Sequence, residues 1–225
     1  LINQCKYFKE DYNSLKNKVD QVNIGLHLLF LNNENYNKLK LYKYKKTFLK
    51  YLFNSHLNLI NKNKVKYLIN TQLDLFEKFF KNIPKFIDSH MHIHQFPNIS
   101  EIFLDTLISR YNSNELNNIY VRNTENLNLK DNNIKSKILS EYGNSFKKKL
   151  INSKINTNIN FIGSYEFNKS FEIKYFYKKI LHNIVDGTLL MTHPGFYNEI
   201  NKNTDNINNY RKIEYNFLNS IEFKD

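Results

Sequence analysis

The chain has 225 residues, of which 41% are hydrophobic and 15% aromatic, so it can bury a core and is not a disordered chain. Its formal net charge is +12, but the lysines are spread along the whole sequence, and we interpret them as a solvated surface rather than a nucleic-acid site. The longest apolar run, 24–31, is shorter than the about 20 residues that a membrane span needs. Cys5 is the only cysteine, and no secretory signal is visible. We expect a cytoplasmic protein with no nucleic-acid and no membrane partner.

The apolar pattern alternates short runs with longer helical periods. In chain order it predicts a strand over 22–30, helices over 38–53 and 64–82, a strand over 86–94, a helix over 99–111, strands over 119–122 and 160–163, a helix over 170–185 that Gly187 follows, a strand over 188–192 and a helix over 210–221. Residues 132–154 are mostly polar and helical at best in pieces. The Asn-rich patches 112–133, 152–160 and 198–209 are interpreted as surface loops. The alternation predicts βα units, a parallel sheet and one α/β domain.

The densest group of chemically reactive side chains lies in the predicted strand over 86–94. Because side chains on a strand alternate between two faces, Asp88, His90, His92 and His94 would stand in one row. Three imidazoles and a carboxylate are costly to bury without a partner, and a divalent metal ion is such a partner. The pattern therefore predicts a metal or catalytic site. The alternative is a polar edge strand whose histidines bond backbone groups.

Three further residues lie in or at the ends of other predicted strands. His27 follows Gly25 by two residues in an apolar strand, where glycine indicates close approach of another backbone or a ligand. His193 begins a His-Pro-Gly turn where a strand ends, which places it as an acid or a base. Arg122 also ends a strand, and its planar guanidinium could bind a ligand oxygen. The structural alternatives are a core histidine, a strand cap and a surface arginine.

Four stretches together resemble the YdjC-like carbohydrate deacetylases, the group that includes chitooligosaccharide deacetylase and the hopanoid-associated deacetylase. The most specific stretch is 84–97, which is similar to the family's Pro-x-x-x-Asp-Ser-His-x-His-x-His-x-x-Pro. The others are Gly-Leu-His-Leu at 25–28, Val-Arg at 121–122, and the stretch 187–196 with its His-Pro-Gly. The order and spacing of the four agree over nearly the whole chain.

The resemblance implies an irregular (β/α) barrel that removes the N-acetyl group from an amino sugar or oligosaccharide with the help of a divalent metal ion. It implies His27 and His90 as metal ligands, Mg²⁺ as the usual ion with Zn²⁺ as an alternative, and His193 as the catalytic acid. Asp88 is a second catalytic candidate. The remaining candidates are expected to contact the sugar: Arg122, His94 and His92.

One part of the family pattern has no counterpart in residues 1–225. The family opens with a strand that carries Asn-Ala-Asp-Asp-Phe-Gly and supplies a carboxylate ligand and the general base. We therefore expect a single domain over 1–225 that lacks the first strand and the last helix or strand and has weak or no activity. Its expected partners are the N-acetylated sugar substrate and a second copy of the chain in a homodimer. A non-catalytic remnant that binds metal or sugar is the first alternative. An amidohydrolase or TatD-like hydrolase, which also carries Asp-x-His-x-His, is the second.

Overall fold

The computed structural model describes residues 12–15, 18, 21–30, 41–125, 134–163, 172–196 and 208–224, and these form a mixed α/β structure. The strands are β1 (Leu26–Leu28), β2 (Phe86–Ser89), β3 (Tyr120–Val121), β4 (Asn156–Thr157), β5 (Asn160–Ile162) and β6 (Thr188–Leu190). The helices are α1 (Leu41–His56), α2 (Lys62–Phe80), α3 (Ile99–Arg110), α4 (Ser113–Asn117), α5 (Ile134–Asn152), α6 (Ile173–Asn183), α7 (Asn208–Leu218) and α8 (Ile221–Lys224). A 3₁₀ segment, His90–Gln95, follows β2 directly.

The paired strands are all parallel, and within each sheet every strand pairs with the next one along the chain. One sheet has the order β1–β2–β3–β4, and β5 pairs with β6 in a second sheet. The two sheets adjoin, because Phe161 in β5 donates its N–H to the carbonyl of Glu125, just after β3, at 2.7 Å. The predicted parallel α/β fold is confirmed. The described strands do not close into a barrel.

Helix α2 shows how the hydrophobic pattern builds the core. Its residues Val65, Ile69, Leu73 and Phe76 recur at helical spacing and are all buried. This face packs on β1 and on α3. The side chain of Gln72, on the same helix, bonds both the N–H and the carbonyl of Leu29. Helix α2 therefore both covers β1 and satisfies backbone groups that follow it.

Several predicted elements differ from the structure in an informative way. The strand predicted over 86–94 ends at Ser89, so its polar side chains do not alternate on one face. The region 132–154 forms one long helix within its described part, because Leu139, Phe146 and Leu150 bury a common side.

Two stretches interpreted as loops contain short elements. Helix α4 lies in the patch 112–133 and begins with a capping box between Asn112 and Glu115. Strand β4 lies in the patch 152–160. Gly187 does not cap α6, which ends at Asn183, but occupies a later turn with a φ of 78°.

Some sequence-based predictions fall outside the described residues. They include Cys5, residues 38–40 at the start of the first predicted helix, and most of the Asn-rich patch 198–209.

Gly25 permits the close approach of β1 and β2 that positions the site. A Cβ atom built on Gly25 would lie 2.4 Å from the carbonyl oxygen of Phe86 and 2.4 Å from Cγ of its ring. The prediction that this glycine marks a close backbone approach is therefore confirmed. Any side chain at this position would push β1 away from β2.

We expect Gly25→Ala to lower the free energy of unfolding by about 1–3 kcal/mol, the usual cost of overpacking. The sign of this change is informative, because Gly→Ala stabilises a chain by about 0.4–1 kcal/mol at a site where alanine fits without strain. Gly195→Ala is the matched control, since a Cβ there would meet only Arg211, at 3.5 Å or more. Urea unfolding of both variants tests this, and equal midpoints for the two would contradict it.

Candidate active site

The carboxyl ends of β1, β2 and β6, together with the residues that follow β3, surround a cavity of about 490 Å³. Functional groups of parallel α/β proteins collect at this end of their strands. The cavity is lined by His27, Asp88, Ser89, His90, Met91, His92, Arg122, Met191, Thr192, His193 and Arg211. The structure thus brings together six of the seven predicted site residues and leaves out His94.

Asp88 lies at the centre of a three-residue network. Its Oδ1 is 2.6 Å from Nδ1 of His27, and its Oδ2 is 2.7 Å from Nη1 of Arg122. The parallel register pairs His27 with Asp88 directly, and β3 brings Arg122 in from the other side. Both carboxylate oxygens of Asp88 are therefore engaged by neighbouring side chains.

The network keeps Asp88 ionised. Burial alone would raise the pKa of Asp88, but the hydrogen bond from His27 and the charge of Arg122 outweigh burial and lower it. An ionised carboxylate only accepts hydrogen bonds, so Nδ1 of His27 carries the proton. When the ring is neutral, its second nitrogen, Nε2, is a lone-pair donor on a side chain that is 49% exposed.

Arg122 is bonded to other protein groups, and little of its side chain is exposed to the cavity. Only 5% of its side chain is exposed. Besides Asp88, it donates from Nη2 to the carbonyl of Ser89 at 2.9 Å and lies 3.2 Å from the sulfur of Met191. Its geometry favours a role in orienting Asp88 over direct contact with a substrate.

His90 stands beside His27 on the same side of the cavity. The two ring centroids are 5.9 Å apart, and the ring planes are nearly perpendicular, at 82°. Burial lowers the pKa of His90 to about 4, and the nearby charges of His27 and Arg122 act in the same direction. His90 is therefore a neutral imidazole near pH 7.

A backbone reversal after β2 replaces the predicted strand. Met91 and His92 have φ angles of 55° and 58°, a left-handed conformation that is uncommon for residues other than glycine. Two consecutive residues in this conformation end the strand alternation. His92 still lines the cavity, where its ring packs against Phe161 at 5.6 Å. Strained backbone of this kind is concentrated at functional sites.

His94 corrects the expectation of a row of histidines on one face. It is fully buried between the rings of Phe103 and Phe146, away from the cavity. Its Nε2 donates to the carbonyl of Arg122 at 2.8 Å, and its Nδ1 accepts from the hydroxyl of Ser89 at 2.7 Å. His94 therefore joins the ends of β2 and β3 from behind, where it cannot contact a sugar.

His193, which also lines the cavity, belongs to a turn that helix α7 holds. The N–H of His193 donates to Oε2 of Glu214 at 2.5 Å, and its carbonyl accepts from Nη1 of Arg211 at 3.3 Å. The sequence analysis missed both Arg211, which lines the cavity, and Glu214, which is fully buried. Their separation of three residues on an amphipathic helix was the only available signal.

The donor set fits part of a metal site. Metal–imidazole bonds are about 2.0–2.1 Å long for zinc, so one ion could be approached by both His27 and His90 at their observed separation. The carboxylate oxygens of Asp88 are already engaged. Among the residues that the structure describes, no group of three or more His, Cys, Asp or Glu side chains is arranged to hold a metal ion.

The fold and the site define an α/β protein with an enzyme-like cavity at the ends of its strands. A comparison with protein-family models matches residues 1–225 to the family described as YdjC-like protein, and the chain belongs to this family. The family is one of hydrolases of the carbohydrate deacetylase type. This membership favours the deacetylase interpretation over the amidohydrolase or TatD-like one. A search of curated proteins found no match.

None of the helices in the described part of the chain combines the length and the apolar character that crossing a bilayer would require.

We expect acid to destabilise the protein through His94. Burial lowers the pKa of His94 to about 4, below the ordinary value of 6.5, so the unfolded chain binds the proton more readily. The stabilising contribution is complete above about pH 6.5 and is lost as the pH falls towards about 4. Glutamine does not titrate. Between about pH 6.5 and pH 4, the free energy of unfolding of His94→Gln should therefore fall by about 1–3 kcal/mol less than that of the wild-type chain.

The measurement is urea unfolding at several pH values, with His182→Gln as the control because His182 is an exposed histidine. Parallel pH profiles for the wild-type chain and His94→Gln would show that His94 is not responsible.

Proposed function

We propose that the chain is a metal-dependent deacetylase that removes the N-acetyl group from an amino sugar or oligosaccharide, on an irregular (β/α) barrel. The observation that carries this proposal is the convergence of His27, His90 and His193, from the regions of three different strands, on one cavity. Its volume of about 490 Å³ lies within the usual range for small-ligand sites. Membership of the YdjC-like family supports the type of reaction.

We infer that His27 and His90 are two ligands of a divalent cation. Their nitrogen donors suit Zn²⁺, whereas Mg²⁺, which the family resemblance implies, prefers oxygen ligands, so both ions belong in the tests. When bound, the cation supplies a Lewis acid for the amide carbonyl and for the attacking water. Asp88 prepares His27 for this role by holding its Nδ1 proton, and His90 is ready because it is neutral.

His193 is the proposed acid, which donates a proton to the sugar amine as it leaves. Histidine is the side chain best suited to moving protons near neutral pH. We assign Asp88 to positioning rather than to proton abstraction, because both of its oxygens are engaged and its pKa is lowered. His92 lines the same cavity and is the remaining candidate for contacting the sugar.

One observation favours the alternative of a non-catalytic remnant. The described residues offer two imidazoles for a cation and a carboxylate that is already engaged by His27 and Arg122. A protein with this donor set could bind the cation or the sugar without hydrolysing the amide. The test of function therefore has to measure binding and acetate release separately.

The decisive experiment incubates the chain with N-acetylated chito-oligosaccharides and with Zn²⁺ or Mg²⁺, and follows acetate by proton NMR. We expect slow acetate release that requires a cation and stops on chelation. Binding of cation or sugar without acetate release would support the remnant. Absence of all three would contradict the assignment of the cavity as a carbohydrate site.

We expect His193→Ala to lower the rate of acetate release by about 10²–10⁴-fold, the usual contribution of a positioned acid or base. Cation affinity, measured by calorimetric titration, should remain that of the wild-type chain. His27→Ala should show the opposite signature, weakened cation binding that excess cation partly overcomes. His182→Ala, at an exposed position on α6, is the matched control and should change neither. Loss of cation binding in His193→Ala would make His193 a ligand instead.

A further inference from the structure

Helix α7 holds the turn that carries His193 through three hydrogen bonds. Glu214 accepts from the N–H of His193 at 2.5 Å, and Arg211 donates to the carbonyl of the same residue at 3.3 Å. The backbone carbonyl of Arg211 accepts from the N–H of Gly195 at 3.1 Å. Pro194 has no N–H. Both N–H groups of His193-Pro-Gly195 are therefore bonded to one helix.

Glu214 is placed to act on this turn and not on a substrate. Its side chain is fully buried and does not line the cavity. While Oε2 accepts from His193, Oε1 accepts from the hydroxyl of Tyr177 on α6 at 2.8 Å. Burial and the adjacent carboxylate raise the pKa of Tyr177, so its hydroxyl remains a donor.

The turn needs such support because none of the strands in the described part of the chain extends to it. Strand β6 ends at Leu190, and residues 191–196 have no regular structure. The backbone of His193 is therefore bonded to α7, which places the Cα atom from which the imidazole extends. A displacement of about 1 Å at a catalytic group can cost about 10²-fold in rate.

We propose that Glu214 is a positioning residue that fixes the backbone carrying the imidazole of His193 by accepting a hydrogen bond from the N–H of His193. The catalytic part of this proposal rests on the proposed function, since His193 must act in the reaction. The hydrogen bond from the N–H of His193 to Glu214, which we call the clamp, is a property of the fold and can be measured without any activity.

Three variants separate the effect of losing the clamp from the effect of a general loss of stability. Glu214→Leu keeps the site filled but cannot accept a hydrogen bond, and we expect it to lower kcat by about 10–100-fold with little change in KM. Glu214→Gln can accept from His193 and donate to the oxygen of Tyr177, so it should retain most of the activity. Tyr177→Phe removes the hydroxyl but leaves the bond to His193, and it should behave like Glu214→Gln.

If Glu214→Leu does not fold, Glu214→Asp takes its place, because its shorter side chain cannot span both partners. Equal losses of kcat in Tyr177→Phe and in the Leu or Asp variant would overturn the proposal, since the effect would then follow the loss of packing. A loss in Glu214→Gln as large as that in Glu214→Leu would overturn it as well.

Hydrogen exchange at the His193 amide, followed by NMR, makes the test independent of the reaction. We expect faster exchange in Glu214→Leu than in the wild-type chain, and wild-type exchange in Glu214→Gln and Tyr177→Phe. Unchanged exchange in the Leu or Asp variant would contradict the clamp. Should the wild-type chain release no acetate, the proposed function fails while the exchange data still decide whether Glu214 holds the turn.

Discussion

The carboxylate of Asp88, shared between His27 and Arg122, is the interaction on which the site depends. A buried carboxylate needs compensation, and here a guanidinium and an imidazole N–H provide it from the two neighbouring strands. Removing Arg122 would leave a buried carboxylate without its counter-charge, and removing His27 would leave one carboxylate oxygen without this donor. The parallel register makes the arrangement possible, because it sets His27 opposite Asp88, and Gly25 allows the two strands to approach.

Two of the segments that line the cavity have different supports. In the first, left-handed backbone at Met91 and His92 turns the chain after β2, and His94 ties this turn to the end of β3 from behind. In the second, helix α7 binds the turn that carries His193. In both cases a buried polar side chain bonds backbone groups that no strand ladder satisfies, which is the usual requirement for buried polar groups. The reactive side chains are thus held by residues that do not line the cavity.

The sequence predicted much of this arrangement, for identifiable physical reasons. Hydrophobic periodicity located α2, and scarce residues such as Gly25 and His193 marked positions with special geometry. The pattern could not show that the strand ends at Ser89, because nothing in the composition of Met91 or His92 signals a left-handed φ. It could not find Glu214 either, since one acidic residue in an amphipathic helix resembles a solvated one until the tertiary structure buries it.

The most direct test of the central interaction is the tautomer of His27, read from long-range ¹H–¹⁵N NMR correlations at a pH where the ring is neutral. The geometry predicts the proton on Nδ1, bound to Asp88, with Nε2 bare. His182, which is exposed, serves as the reference in the same spectrum. A proton on Nε2 with a bare Nδ1 would contradict the account, because Asp88 would then not be orienting His27.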